Sequence, residues 1–387
     1  MELAELTERL ELTEVVGCDD CFELAKKRQR EHGRAILTDV NPAYLGKYAD
    51  EVIAAGKSLA KDPANSLYAY FLAELMLRGN SAAIKRAGAP RASLGSVEYD
   101  SLPLFSILWC IPTMLTEHRR RGIPEWVSES TVGMVENQIG DFVALMGHVG
   151  ISRFTLWMTS FIACRIIRVG RFNLEVKTFD DKYKLIRCGA RIVPLADGHT
   201  YHSSGRVLGS AGCEDEEGAF TPVFVETDEY FEGAVCDGVR CGGVERFYKA
   251  DGWELCIASG DPLVSVHIPS GGPLTPEVVS RDLKIGGEII RAAFGDFKAY
   301  YCSSWLLDSE IKDITGRESN ITRFGDRFVR YPIKTNGGAV YSYVWHLPPT
   351  TPPDALPDAG SFANALRAHI AAGGYVYGAA GVFTEIV

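Results

Sequence analysis

The chain has 387 residues, enough for two or three domains and a sizeable core, and its 46% hydrophobic and 23% charged content is that of a soluble globular protein. A formal net charge of −10 argues against nucleic acid as a partner, because binders of a phosphate backbone present a basic footprint. Ten cysteines scattered over so long a chain, behind an acidic amphipathic start, are not the framework of a small secreted scaffold, so reduced thiols and a cytoplasmic location are expected.

From residue 1 to about 168 the pattern is helical, with breaks at Gly33, Asn41-Pro42, Asp62-Pro63, Gly79-Asn80 and Gly122, and six or seven helices are expected. Phe142, Leu145, Met146 and Val149 have the spacing of one helical face. The stripe Phe154, Trp157, Met158 and Phe161 reads as packed core. Pro103 and Pro112 interrupt the apolar run 102–115, and Arg165 and Arg168 interrupt 154–169, so no membrane span is predicted.

Near Gly170 the period changes from helix to strand: 171–179 alternates, with Phe172, Leu174 and Val176 on one side. Strands are expected at 185–195, 223–227, 244–248 and 254–258, with Asp-Gly turns between them that suggest an antiparallel meander. Residues 203–217, rich in Gly and acids, read as a long exposed loop.

The stretch 264–307 is the centre of the reading. An apolar strand ends at Pro269, residues 270–273 form a Gly-rich turn, and Thr275, Pro276 and Glu277 give N-cap, first-position and first-turn signals for a helix to about Phe294. Val278, Leu283, Ile285, Ile289, Ile290 and Phe294 are its expected buried face, and a second strand, 299–306, follows. Free amides at a glycine loop and a helix N-terminus form a seat for an anion, although the same turn also occurs where nothing binds. Beyond it, 308–317 and 318–327 read as short helices, 338–347 as an aromatic strand, 348–357 as a Pro-rich connector, and the remainder as a helix from Ser361 and a strand within 375–387. The domain limits drawn from this pattern are 1–150, 151–347 and 348–387.

Among chemistry-bearing residues, Cys18 and Cys21 have the C-x-x-C spacing, but they lie in a helical setting with no second ligand pair and read as structural, like Cys236 and Cys241. His199 and His202 lack a set of carboxylates and read as loop residues, so no metal is expected. His267, at the strand end before the loop, suits a general base. It also suits a half-buried hydrogen-bonding group. Tyr301 and Cys302 on the next strand are either proton donors or core.

Gly170-Arg171-Phe172, the run from Val266 to Leu274, the run from Cys302 to Asp308 and Ser319-Asn320-Ile321-Thr322-Arg323-Phe324 resemble the bacterial two-domain acyltransferase-like proteins. In these a helical N-acyltransferase domain precedes a GNAT-like domain. The resemblance implies an α+β chain, all-helical first and mixed-sheet after, with acetyl-CoA or another acyl-CoA as donor and a small-molecule or peptide amine as acceptor. It implies that Ile268, Ser270, Gly271, Gly272, Leu274 and Thr275 bind the coenzyme, that His267 takes the amine proton, and that Tyr301 or Cys302 returns one to the thiolate. The usual loop pattern of such domains, Q/R-x-x-G-x-G/A, is not met, since Pro273 or Leu274 stands at the second glycine place and no arginine or glutamine opens the loop. A GNAT-shaped scaffold that binds a small molecule or peptide without catalysis is therefore the alternative.

Overall fold

The computed structural model describes residues 1–12, 18–87, 90 and 96–383. The chain divides into two compact units, Met1–Val169 and Gly170–Val387. Among the described residues, no helix is long and apolar enough to cross a membrane.

The first unit is helical up to its last strand, β1 (Ile166–Val169), and no strand precedes that one among the described residues. Ten α-helices are described there, more than the expected six or seven, because breaks leave short pieces such as Ala35–Thr38 and Glu125–Val132. Helix Pro63–Leu77 is the hub. Asp62 caps it by accepting the Ala64 amide at 2.9 Å, Pro63 fills the first position, and every residue from Ala64 to Met76 is buried. Helices Asp19–His32 and Leu102–Arg120 pack against it, through the Phe22–Phe71 edge contact at 5.6 Å and the Ser106 hydroxyl on the Ala69 carbonyl at 2.8 Å. Met158 and Phe161 are buried in the same core, as expected. Met146, the last residue of its helix before the left-handed Gly147, is exposed where burial was expected.

His118, wholly buried near the end of Leu102–Arg120, pairs its Nδ1 with the Ser128 hydroxyl at 3.0 Å. Burial pushes its pKa down from 6.5 to about 4. Between those values the unfolded chain binds the extra proton, so stability is lost as pH falls from 6.5 toward about 4, by roughly 1.4 kcal/mol per pH unit. Thermal melts at pH 7 and pH 5 should show a larger drop for the wild type than for His118→Asn, and equal drops would contradict this.

The second unit stacks two sheets. Strands β2 (Phe172–Thr178), β9 (Pro262–His267), β10 (Ala299–Ser304), β12 (Ala379–Phe383) and β11 (Val329–Pro332) follow in that spatial order in the first. The other sheet runs β5 (Val225–Glu226), β6 (Tyr230–Asp237), β4 (Arg191–Ala196), β3 (Tyr183–Cys188) and β8 (Glu254–Ile257), with β7 (Arg240–Tyr248) paired to β6. Leu263, Ala299, Tyr301 and Tyr331 of the first sheet share one core with Tyr183, Leu185, Ala196 and Ala234 of the second. The architecture is α+β, as expected.

Several local expectations are corrected. The run 185–195 is two strands, hinged at the left-handed Gly189, and β6 and β11 were not anticipated. The aromatic run 338–347 is helical at Tyr341–Trp345: its alternation also sets Tyr341 and Trp345 four apart, and their rings meet at 6.0 Å. The long loop 203–217 is tied down by Arg206, which is buried, stacks 3.5 Å over the Tyr377 ring and donates to Glu310 at 2.7 Å. Part of the predicted last strand exists as β12, and residues 384–387 lie outside the described residues.

Candidate active site

Strands β9 and β10 are the parallel pair of the first sheet, and their ladder runs only from Leu263↔Ala299 to Ser265↔Tyr301. Both strands continue, β9 to His267 and β10 to Ser304, without pairing to each other. The two therefore part, leaving a wedge flanked by Val266 and His267 on one side and Cys302 and Ser303 on the other. Strand β2 stays paired to β9 along its other edge, with Asn173 opposite His267 and Glu175 opposite Ser265.

Alternation along these strands sorts the side chains by face. Asn173, Glu175, Ser265, His267, Tyr301 and Ser303 share one face, and Cys302 lies on the other. The His267 side chain is 33% exposed, and its Nε2 lies 2.9 Å from the Glu175 carboxylate, so it is neither enclosed nor held by backbone alone. Glu175 was not singled out from sequence; its signal is the polar side of the alternation in β2, which acquires meaning only once β2 pairs with β9. Tyr301 shares the His267 face but lies in the core between the sheets, where burial pushes its phenol pKa up and Lys177 Nζ sits 4.8 Å from its ring. Cys302 is not brought to His267. It is buried on the opposite face, beneath the helix, where burial pushes its thiol up to about 12, so it is a core residue turned away from His267.

The glycine loop follows β9. Ile268 is half-buried, Ser270, Gly271 and Gly272 are exposed, and Leu274 is buried. Thr275 caps the helix Pro276–Phe294 by accepting the Val278 amide at 3.4 Å. Among the described residues, the amides of Ser270, Gly271, Gly272 and Leu274 donate to no protein group. The loop carbonyls are gripped instead: Arg171 donates from Nε to Gly272 at 2.6 Å and from Nη1 to Pro269 at 2.7 Å. The Arg171 amide in turn donates to Asp282, a buried acid of the helix, at 2.8 Å. Gly170 is left-handed, and a Cβ there would sit 2.2 Å from the Asp282 carboxylate, so the Gly-Arg pair fits this junction and no larger first residue does.

The helix lies over the face that carries Cys302. Its buried positions are Val279, Asp282, Leu283, Gly286, Gly287 and Ile290, a stricter 3–4 repeat than the expected face. Gly287, where a Cβ would sit 2.6 Å from the Tyr300 hydroxyl, lets the helix approach the sheet closely enough for that hydroxyl to reach the Leu283 carbonyl at 2.5 Å. At its first turn the Glu277 carboxyl is held below its usual range by hydrogen bonds from its own amide and the Thr275 hydroxyl, with Arg323 and Arg327 adding positive charge. Arg171 thus brings cationic charge to a loop that has none of its own, and Arg327, which donates to the Pro276 carbonyl at 3.1 Å, brings it to the helix start.

The other motifs do not join this site. Cys18 and Cys21 are buried free thiols, with Cys21 pushed up to about 11 by burial, and Cys236 and Cys241 face each other across β6 and β7 as free thiols. His202 pairs with Asp215 at 3.1 Å and His199 packs against Tyr183. Among the described residues, no three His, Cys, Asp or Glu side chains are grouped to hold a metal.

The model of the GNAT-like C-terminal domain family matches residues 166–383, and that of the N-acyltransferase N-terminal domain matches residues 43–164. No curated protein sequence matches. Among solved structures, an acyltransferase in complex with decanoyl-CoA and teicoplanin is 17% identical, with a TM-score of 0.67 and 99% of both chains covered. An acyltransferase mutant in complex with octanoyl-CoA is 18% identical, with a TM-score of 0.63 and coverage of 99% of this chain and 94% of that one. At these identities the likeness is one of fold.

Proposed function

Because the chain belongs to the family of the GNAT-like C-terminal domain, with an N-acyltransferase N-terminal domain ahead of it, we propose that it is an acyl-CoA-dependent N-acyltransferase. The observation that carries this reading is the parting of β9 and β10 beside a loop whose amides are unused. A wedge between two parallel strands admits an extended chain, and the loop amides with the helix N-terminus suit the pyrophosphate at its end. Arg171 does from the β2 side what a basic opening residue does in the usual loop: it supplies charge, and by holding two carbonyls it turns the intervening amides outward.

In the proposed reaction the acceptor amine attacks the thioester carbonyl directly in a ternary complex. The N–C bond forms as the C–S bond breaks, and His267 takes the amine proton while Glu175 stabilises the imidazolium. Backbone amides where β9 ends, at Ile268, face the developing oxyanion, and a fixed donor of this kind lowers the barrier by about 3 kcal/mol. Tyr301, kept protonated by burial, protonates the departing thiolate, and the proton on His267 returns to it through solvent.

Relatives solved with octanoyl- and decanoyl-CoA make octanoyl-CoA the first donor to test, ahead of acetyl-CoA. Calorimetric titration of the full chain should give saturable binding of coenzyme A and tighter binding of octanoyl-CoA. A protein that binds neither at millimolar concentration is the scaffold of the alternative reading.

A further inference from the structure

The site holds a polar side chain that the reaction above leaves unused. Asn173 stands directly opposite His267 in the β2–β9 register, on the face that also carries Glu175. It is only 2% exposed. Its Oδ1 is buried with no hydrogen-bond partner, and among the described residues neither end of the carboxamide makes a hydrogen bond. Buried amides are almost always paired, because an unpaired one gives up its water and gains nothing in return. An orphan of this kind beside the histidine is explained by a partner that arrives with the substrate.

The chemistry of the neighbours identifies that partner. Glu175 and His267 already meet each other at 2.9 Å, so the group completing the cluster is one with hydrogens to share between an imidazole and a carboxamide oxygen. A neutral primary amine has two. Resting on the acyltransferase reading, we propose that Asn173 is an acceptor-binding residue: its Oδ1 accepts one N–H of the acceptor amine while His267 accepts the other, which aims the nitrogen lone pair at the thioester carbonyl. In this arrangement His267 removes one proton during attack, and the N–H held by Asn173 stays on the product amide. Asn173 therefore binds and orients without exchanging a proton.

The consequence separates a functional from a structural asparagine. Asn173→Leu is close in size and removes an unpaired buried polar group, so the melting temperature of the variant should hold or rise. Its kcat/KM for the amine should nonetheless fall by roughly 30-fold or more, since a lost hydrogen bond and a misplaced nucleophile both act on the attack step. The measurement uses the full chain, release of the coenzyme A thiol from octanoyl-CoA, ethanolamine as the probe amine, and calorimetric affinity for octanoyl-CoA on the same samples. The expected result is loss of amine-dependent turnover with octanoyl-CoA affinity within about twofold of wild type, and partial recovery in Asn173→Asp, which keeps an acceptor oxygen. Wild-type kcat/KM in Asn173→Leu, or a loss that follows a fall in melting temperature, overturns the assignment. So does a wild type that binds octanoyl-CoA but is not accelerated by the amine. A wild type that does not bind octanoyl-CoA at all overturns the acyltransferase reading itself.

Discussion

His267→Ala is expected to lower kcat for acyl transfer by roughly 10²- to 10⁴-fold, the range for removing a positioned general base. Affinity for octanoyl-CoA and the melting temperature should stay near wild type, because the imidazole is one-third exposed and its described partner is a side chain, Glu175. Glu175→Gln keeps the size and removes the charge, so it should slow the reaction by less than His267→Ala does and likewise leave coenzyme affinity unchanged. Single-turnover rates with bound octanoyl-CoA, measured alongside calorimetric affinity, check both variants. If His267→Ala retains wild-type single-turnover rates, the base lies elsewhere.

Gly272→Val should weaken coenzyme A binding by roughly 10- to 100-fold, the cost of one or two charge-assisted hydrogen bonds at about 1.5 kcal/mol each. Its melting temperature should barely move, because a Cβ at Gly272 meets nothing within 4 Å and the backbone there is not left-handed. Gly271 is different: its φ of +136° is one that side chains rarely adopt. Gly271→Ala should therefore lose about 1–3 kcal/mol of stability with or without ligand. The two neighbouring glycines thus separate anion approach from backbone strain. Paired melting and calorimetric measurements that found Gly272→Val unstable and normal in affinity would favour the scaffold reading.

What could be read from the sequence was local. Thr275, Pro276 and Glu277 marked a helix start that the structure places one residue after the cap, and Pro269 marked the end of β9. The change of period near Gly170 is where the two units divide. What could not be read depends on residues far apart in the chain. Glu175 and Asn173 are ordinary strand polars until antiparallel pairing sets them against a histidine some 90 residues later. Arg171 is missing from the loop motif because it reaches the loop through space, and the buried helix face escaped a hydrophobic scan because Asp282, Gly286 and Gly287 form half of it. Tyr341 and Trp345 fit two periods at once, and packing against the final helix chose the helical one.

The position of β12 has a consequence for how the protein is made. Residues 379–383 pair with β10 on one side and β11 on the other, so a strand that follows both of them in the chain lies between them in the sheet. Until it arrives, β11 has no neighbour in that sheet and the edge of β10 beside the candidate site stays open. At about 5–20 residues per second the ribosome needs several seconds to pass from β11 to β12. During that interval the nascent chain exposes two unpaired edges, which other chains can capture. Translation speed over residues 333–383, and chaperone supply during it, should govern the yield of folded protein more strongly than any step in the helical unit, which can form while the second unit is still being synthesised.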